Sequence, residues 1–568
     1  MCGVSGNTCC AGVARDTLNK NDWGRQRPHD GEHNTFSTAR KSLTYVVRKD
    51  KALSADHHLE VPTRVIINGQ ALSFADVVAV ARLHAPVTIG EEALERIRTA
   101  RMVIDRLAVD DSKKVYGITT GFGHLSKMRI SSDQQVELQY NLIRSHAAGV
   151  GEPLPEEVTR AMMLLLAASL ARGHSGVHVE IVQTLADMLN AGICPLIPSR
   201  GSVGASGDLA PLAHLALTLI GEGETIYQGK KMWGAQALEQ AGLKPVGLHT
   251  KEGLALINGT HLMEAIAVLA IVDARVALRS AEVACAMSLE GLLGSHVPLD
   301  ERIHHRRGQA GQVVSAQRLR QLVRESAINA SHQNCARVQD PYTLRCAPQV
   351  LGAVRDAIEY CATIFERELH AVTDNPLIFP DEGDVLSGGN FHGQPLALAL
   401  DMLAIALAQL ASFSERRVYN VIGPHDWEEK GAETTLFLTP HPGLHSGLMI
   451  AQYVAASLVN EIKVMAHPAS IDSIPTSAGM EDFVSMGVTS AHKLRRVIEQ
   501  TQQVLAIELL CAAQLLDFRL PLLPGAGVQR ARELVRAHVE TLTNDRVLSG
   551  DIETLVQLIQ SGQIAEIE

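Results

Sequence analysis

The residues best placed to do chemistry lie in the run GSVGASGDLAPLAH, from Gly201 to His214. Gly201, Gly204, Ala205 and Gly207 surround the hydroxyl of Ser206, an acid follows at Asp208, and Pro211 closes the run. Glycine loses the most backbone entropy on ordering, so the run reads as a tight turn leading into a helix capped by Ser206 or Asp208. A phosphate-binding loop is the weaker alternative, because the GxxxxGK[ST] lysine and the GxGxxG spacing are both missing. A different chemistry is open to Ala205-Ser206-Gly207. In a sufficiently tight bend the Gly207 amide nitrogen, unhindered by a side chain, can attack the Ala205 carbonyl. Loss of one water from the ring and a second carrying off the Ser206 hydroxyl leaves a methylidene-imidazolone, an electrophile made from the backbone.

The elements that must position this turn are mostly helical. VPTRVIINGQALSF, from Val61, reads as a short β-hairpin turning at Asn68-Gly69, followed by a helix capped by Ser73 and another over EEALERIRTARMVIDRLA. VYGITTGFGHL is a flexible loop carrying Tyr116. SDQQVELQYNLIRSHAAG, capped at Ser132 or Asp133, and EEVTRAMMLLLAASLARG, ending at Gly173, are helical. Five later segments, beginning at His261, Gln349, Gln394, Ser446 and Ser490, are apolar over too many faces for surface helices. They predict a mostly α protein, with a central bundle of long, near-parallel and antiparallel helices and a smaller mixed N-terminal region. The expected divisions are a loosely ordered extension over 1–60, the catalytic motifs over 61–260, the long-helix bundle over 261–525 and a helical tail over 526–568.

Hydrophobic residues make up 46% of the chain but aromatics only 4%, which suits closely packed helices better than a β-sandwich. A net charge of −11 argues against a nucleic-acid partner and for a small diffusible substrate. The nine cysteines form no zinc spacing, and their odd number in apolar contexts reads as reduced core thiols, hence a cytoplasmic protein. No signal-peptide run is evident and charges break the longest apolar stretches, so neither secretion nor a membrane partner is expected.

The run 201–214 resembles the signature of the aromatic amino acid lyases and aminomutases, with histidine ammonia-lyases the nearest group, and the resemblance covers roughly residues 62 to 530. It implies a prosthetic group formed from Ala205, Ser206 and Gly207, no diffusible cofactor, no metal, and a homotetramer in which three subunits complete each site. Such an enzyme must remove a barely acidic β-proton and expel an amine, so it needs an electrophile, a base, a carboxylate anchor and a side-chain pocket. Tyr116 matches the mobile catalytic tyrosine, whose phenol needs neighbouring dipoles or charge to act as a base near neutrality. VQDPYTLRCAPQV matches the anchor segment, with Gln339, Tyr342 and Arg345 lining the pocket and the planar guanidinium of Arg345 suited to a carboxylate. Asn258 in EGLALINGTH corresponds to an asparagine that contacts prosthetic group and substrate, and Phe391 in GGNFHGQP to a residue closing over the substrate ring.

Two places bear on the substrate. Ser145-His146 resembles histidine ammonia-lyases, although some tyrosine aminomutases carry the same pair. Glu481 in GMEDFVSMG aligns with the glutamate that holds an imidazole, where tyrosine and phenylalanine enzymes commonly carry Gln. A carboxylate opposite an imidazole N–H makes a charge-assisted bond worth ~1.5–3 kcal/mol, whereas beside a phenyl ring it is a buried unpaired charge. The expectation is therefore elimination of ammonia from L-histidine to give urocanate, with a tyrosine or phenylalanine lyase or 2,3-aminomutase as the alternative. Met480, Phe483, His261 and the loop over 424–447 depart from the family pattern.

Overall fold

A computed structural model describes residues 61–568, apart from 110–114, 119, 122–129, 132–133, 334–336 and 424–435. The expected N-terminal extension over 1–60 and the caps at Ser132 or Asp133 lie outside the described residues. In chain order the helices are α1 (Phe74–Arg82), α2 (Glu91–Ala108), α3 (Gln135–His146), α4 (Glu156–Leu170), α5 (Val179–Ala191), α6 (Leu209–Leu219), α7 (Gly234–Gln240), α8 (Glu252–Ile257), α9 (His261–Gly291) and α10 (Glu301–Arg307). There follow α11 (Ala310–Leu322), α12 (Ala327–Ser331), α13 (Tyr342–Arg345), α14 (Ala347–Glu368), α15 (Gln394–Ile422), α16 (Met449–Met465), α17 (Gly487–Asp517), α18 (Ala526–His538) and α19 (Ser549–Gln560).

The sheets are small. β1 (Val65–Ile67) pairs with β2 (Val87–Ile89), β3 (Val150–Pro153) with β5 (Pro198–Arg200), and β8 (Leu377–Phe379) with β9 (Asp384–Leu386); β6 (Glu224–Tyr227) lies between β4 (Cys194–Pro195) and β7 (Lys230–Trp233). The hairpin expected at 61–74 is not formed: β1 runs parallel to β2, in register Val65↔Val87, with α1 as the crossover. Asn68 and Gly69 do make a turn, with Gly69 at φ +80, but a capping box takes over immediately. Ser73 Oγ accepts from the Asp76 amide while the Asp76 carboxylate accepts from the Ser73 amide, so the chain enters a helix where a second strand would have begun.

The bundle forms as its composition requires. α9 and α17 each hold 31 residues, about 46 Å at 1.5 Å per residue, and both are buried almost all round. Alanines along α9 let it lie close against α4, α14, α15 and α17. α15 is long and apolar enough to cross a membrane by length and composition, yet it packs against α9, α14, α16 and α17 as a core helix.

Two buried carboxylates pin these helices to one another. Glu508 of α17 accepts from Arg417 of α15 (2.7 Å), Ser414 of α15 (2.6 Å) and Ser288 of α9 (2.8 Å). Glu282 of α9 accepts from Arg355 of α14 (2.7 and 2.9 Å) and Ser315 of α11 (2.6 Å). Arg417 and Glu508 have no exposed side-chain surface, so removing one partner strands the other's charge in the core. Arg417→Met is expected to cost about 3–5 kcal/mol in urea unfolding, and Arg417→Met with Glu508→Gln to recover most of that loss.

Candidate active site

The turn before α6 is built around a close approach of two glycines. Gly207, at φ +76, forms a parallel bridge with Gly259, and a Cβ on Gly207 would lie 2.1 Å from the Gly259 carbonyl oxygen. The Asp208 amide donates to that same oxygen at 2.7 Å. Asp208 stands at the N-cap position of α6, yet its carboxylate does not cap that helix. Oδ2 instead accepts from the amides of Leu262 (2.8 Å) and Met263 (3.1 Å), capping α9, while Oδ1 accepts from Ser202 (3.1 Å). The expected local cap is thus replaced by a long-range one, and Ser206 lies outside the helix. Burial pushes the Asp208 carboxyl up to about 7, against the pull of its amide and hydroxyl donors.

Other segments hold the opposite side of the turn. The Gly204 carbonyl accepts from Ser485 Oγ at 2.9 Å and from the Gly393 amide at 3.3 Å, and the Met486 amide donates to the Val203 carbonyl at 2.9 Å. Gly204, at φ +67, leaves no room for a Cβ against Ser485 Oγ. Through Gly393 the GGNFHGQP loop, with half-buried Phe391, is carried to the motif. In that loop His392 stacks on Phe483, with ring centroids 6.1 Å apart and an interplanar angle of 10°.

Glu481 meets the serine itself. Ser206 Oγ donates to Glu481 Oε1 at 2.6 Å, and Thr476 Oγ1 donates to Oε2 at 2.5 Å. A tight turn over 476–481, closed by the Thr476–Glu481 bridge and with Ser477 and Ala478 at positive φ, aims the carboxylate inward. Asn258 is buried at the C-terminal cap of α8, beside Gly259, and its Nδ2 donates to the Asn375 carbonyl at 3.1 Å.

His146 ends α3, just before the segment that carries β3. β3 pairs with β5, and β5 leads directly into Gly201. The His146 Nδ1 faces the Leu142 carbonyl at 2.8 Å, a contact that calls for a proton on Nδ1. His214 of α6 accepts from the Gly149 amide at 3.1 Å and fastens this corner to the motif. Tyr116 is half-buried in a turn over 115–118, where Gly117 takes φ +71 and its amide donates to Thr120 Oγ1 at 3.3 Å.

The anchor segment lines a different cavity. Gln339 and Arg345 line a cavity of about 590 Å³ with Ser295, His296 and His332; among the described residues its walls do not include Ser206, Asn258 or Glu481. Tyr342 is 68% exposed, and the Arg345 guanidinium stacks over its ring at 4.7 Å. One chain therefore gathers Ser206, Gly207, Asn258, Phe391 and Glu481 through direct contacts or adjoining residues, while Gln339, Tyr342 and Arg345 face elsewhere.

Sequence reasoning missed the supports of the site, namely Ser202, Ser485, Thr476, Asn375 and the long-range role of Asp208. It also missed a buried polar cluster behind Gly259. His261 is 2% exposed, and neither ring nitrogen has a partner among the described residues. Burial, helped by Arg172, brings its pKa down to about 3. Glu264 and Glu368 are raised by burial, and Thr260 Oγ1 donates to Glu368 at 2.6 Å. Because the imidazole is held neutral in the folded chain, unfolding below its ordinary value of 6.5 takes up a proton, so its share of stability is present above that pH and is lost as the pH falls toward 3. Replacing it, His261→Gln, is expected to flatten the acid limb of urea-measured stability by up to about 1.4 kcal/mol per pH unit relative to the parent.

Comparison with known proteins shows the family. Residues 72–537 match the model of the aromatic amino acid lyases. The chain is 51% identical over 501 residues to a histidine ammonia-lyase of Myxococcus xanthus, covering 88% of this chain and 97% of that one. It is 52% identical over 508 residues to a histidine ammonia-lyase of Sorangium cellulosum, covering 88% and 98%. The crystal structure of a histidine ammonia-lyase from Trypanosoma cruzi superposes with a TM-score of 0.81 at 43% identity, covering 88% of this chain and 94% of that one. That of a tyrosine aminomutase from Streptomyces globisporus gives 0.82 at 36%, covering 88% and 97%. With the family model spanning most of its length and about half of the aligned residues identical to those of the two bacterial lyases, the chain belongs to the aromatic amino acid lyase family.

Proposed function

We propose that this protein is a histidine ammonia-lyase, which eliminates ammonia from L-histidine to give trans-urocanate. The observation that carries the reading is the carboxylate of Glu481 at 2.6 Å from Ser206 Oγ. A carboxylate beside the reacting centre rewards an imidazole N–H with a charge-assisted bond, and next to a phenyl ring it is a desolvated charge without a partner. Relatives sharing half of the sequence and named histidine ammonia-lyases support the same choice.

The prosthetic group in this reading is a methylidene-imidazolone closed from Ala205, Ser206 and Gly207, with no diffusible cofactor. The residues present suit it. Gly207 has no side chain and takes a positive φ where a Cβ would strike the Gly259 oxygen, Ala205 is buried, and hydrogen bonds hold the turn from both sides. The group supplies an electrophile for the substrate amine. Tyr116 takes the β-proton, Asn258 steadies the site, His146 and Glu481 hold the imidazole, and Phe391 covers it. Arg345, with Gln339 and Tyr342, grips the substrate carboxylate.

In a homotetramer the anchor segment serves a neighbouring subunit's site. Its separation from Ser206 within one chain supports this, as do the exposed apolar side chains Leu398, Met402 and Ile405 on α15 and Ile450, Tyr453 and Val454 on α16. Cys194, Cys285, Cys361 and Cys511 are buried and unpaired, and burial raises all four thiols, consistent with a reducing cytoplasm.

Purified protein is offered histidine, tyrosine and phenylalanine in turn, with products identified by chromatography. Urocanate from histidine is expected; cinnamate, coumarate or a β-amino acid as the main product contradicts the reading. Glu481→Gln is expected to lower kcat/KM for histidine by about 10- to 100-fold, the loss of ~1.5–3 kcal/mol, and to narrow the preference over phenylalanine. Ser206→Ala is expected to abolish turnover of every substrate.

A further inference from the structure

α8 is a six-residue helix held between a charged residue and the functional asparagine: Lys251 is its N-cap and Asn258 its C-cap. Lys251 has no exposed surface and adopts φ +77, a conformation that a lysine holds only where its surroundings enforce it. Its ammonium makes an ion pair, with Lys251 Nζ 2.6 Å from Asp374 Oδ2 in a site where Asp374 is also buried. The other oxygen, Asp374 Oδ1, accepts from the Asn375 amide at 2.6 Å. Asn375 then presents its carbonyl to Asn258 Nδ2 at 3.1 Å, while its own side chain is fixed by Ser387 Oγ (3.1 Å) and the Gly388 amide (2.7 Å). The pair thus closes a loop through Asp374, Asn375, Asn258 and α8 back to Lys251.

The rest of α8 is anchored independently. Glu252 accepts from the His178 amide at 2.8 Å and the His249 amide at 2.6 Å, and Gly253 lies so close to α3 that a Cβ would stand 2.7 Å from the Gln139 carbonyl. What those anchors leave unset is the orientation of the Asn258 amide, and only the chain through Asn375 reaches it among these contacts.

We infer that Lys251 and Asp374 are positioning residues for the reaction: their buried ion pair orients the Asn258 carboxamide beside the Ser206-Gly207 turn by fixing the Asn375 carbonyl. This rests on the reading that Asn258 serves the reaction at that turn. A misplacement on the order of 1 Å at such a group can cost about 100-fold in rate, whereas a pair that merely holds the fold acts on stability alone.

The test uses the full-length enzyme carrying Lys251→Met with Asp374→Asn, which removes both charges and so avoids stranding one. Melting within a few degrees of the parent is expected, with kcat reduced about 10- to 100-fold per site. Intact mass counts the sites that have lost two waters, and KM is expected to move less than about threefold. In an Asn258→Ala background the same two substitutions are expected to cost less than about threefold further, because the group they act through is gone. Hydrogen exchange at the amides of 254–258 is expected to quicken while that of α9 keeps its parental protection. Parental kcat in the folded variant, equal fold losses in both backgrounds, or unchanged exchange at 254–258 overturns the proposal. Should the paired variant not fold, Asp374→Asn alone, where Lys251 can shed its proton, carries the same comparisons. Failure of the parent to form urocanate overturns the histidine reading instead; the cycle is then run on the amino acid that does turn over, and the exchange comparison is independent of either.

Discussion

The contact between Gly207 and Gly259 is the constraint on which the rest of the site depends. The two chain segments pass so closely there that a Cβ on Gly207 would strike the Gly259 carbonyl, a Cβ on Gly259 would strike His261 and Thr373, and the Asp208 amide seals the approach on the Gly259 carbonyl. Asp208 then spends its carboxylate on the first amides of α9, a helix about 46 Å long at 1.5 Å per residue. The turn is thereby fixed to the N-terminus of a long, buried helix of the bundle. A turn expected to cyclise on its own backbone needs that kind of compression.

This placement explains the division of labour around the turn. The α8 to α9 junction supplies Asn258 and Gly259, the segment before α17 supplies Glu481 and Ser485, and the loop before α15 supplies Phe391 and Gly393. All three adjoin helices, α9, α17 and α15, that meet at the buried hub of Glu508, so the packing of the bundle and the geometry of the site are set by the same elements. The proposed carboxylate anchor stands apart on its own cavity, in keeping with the proposal that neighbouring subunits complete the site.

Much of this was legible in the residues. The long apolar segments could only be buried helices, and α9, α14, α15, α16 and α17 begin within a few residues of where the pattern begins. The motif at 201–214 was legible in its residue types, whereas Asn258, Phe391 and Glu481 were picked out by the resemblance to the lyase family, and the structure brings them beside the motif. Less legible was whatever depends on contacts distant in sequence. Val65–Ile67 reads as half of a hairpin because a local turn follows it, yet its partner strand lies beyond α1. Asp208 reads as a local cap, and its acceptors are claimed by amides 54 and 55 residues away. The strained lysine at 251 and the unpartnered imidazole at 261 carry no periodic signature at all, since their environments come from other helices.

In the proposed function the backbone closes a ring on itself at Ala205, Ser206 and Gly207. The measurement that tests it most directly is the intact mass of the purified full-length chain, compared with that of Ser206→Ala. The parent is expected to fall two waters short of the mass its sequence requires, with the shortfall confined to the peptide spanning 201–214, and Ser206→Ala to lack the methylidene group. A parent chain of full sequence mass, with an unmodified serine in that peptide, would contradict it.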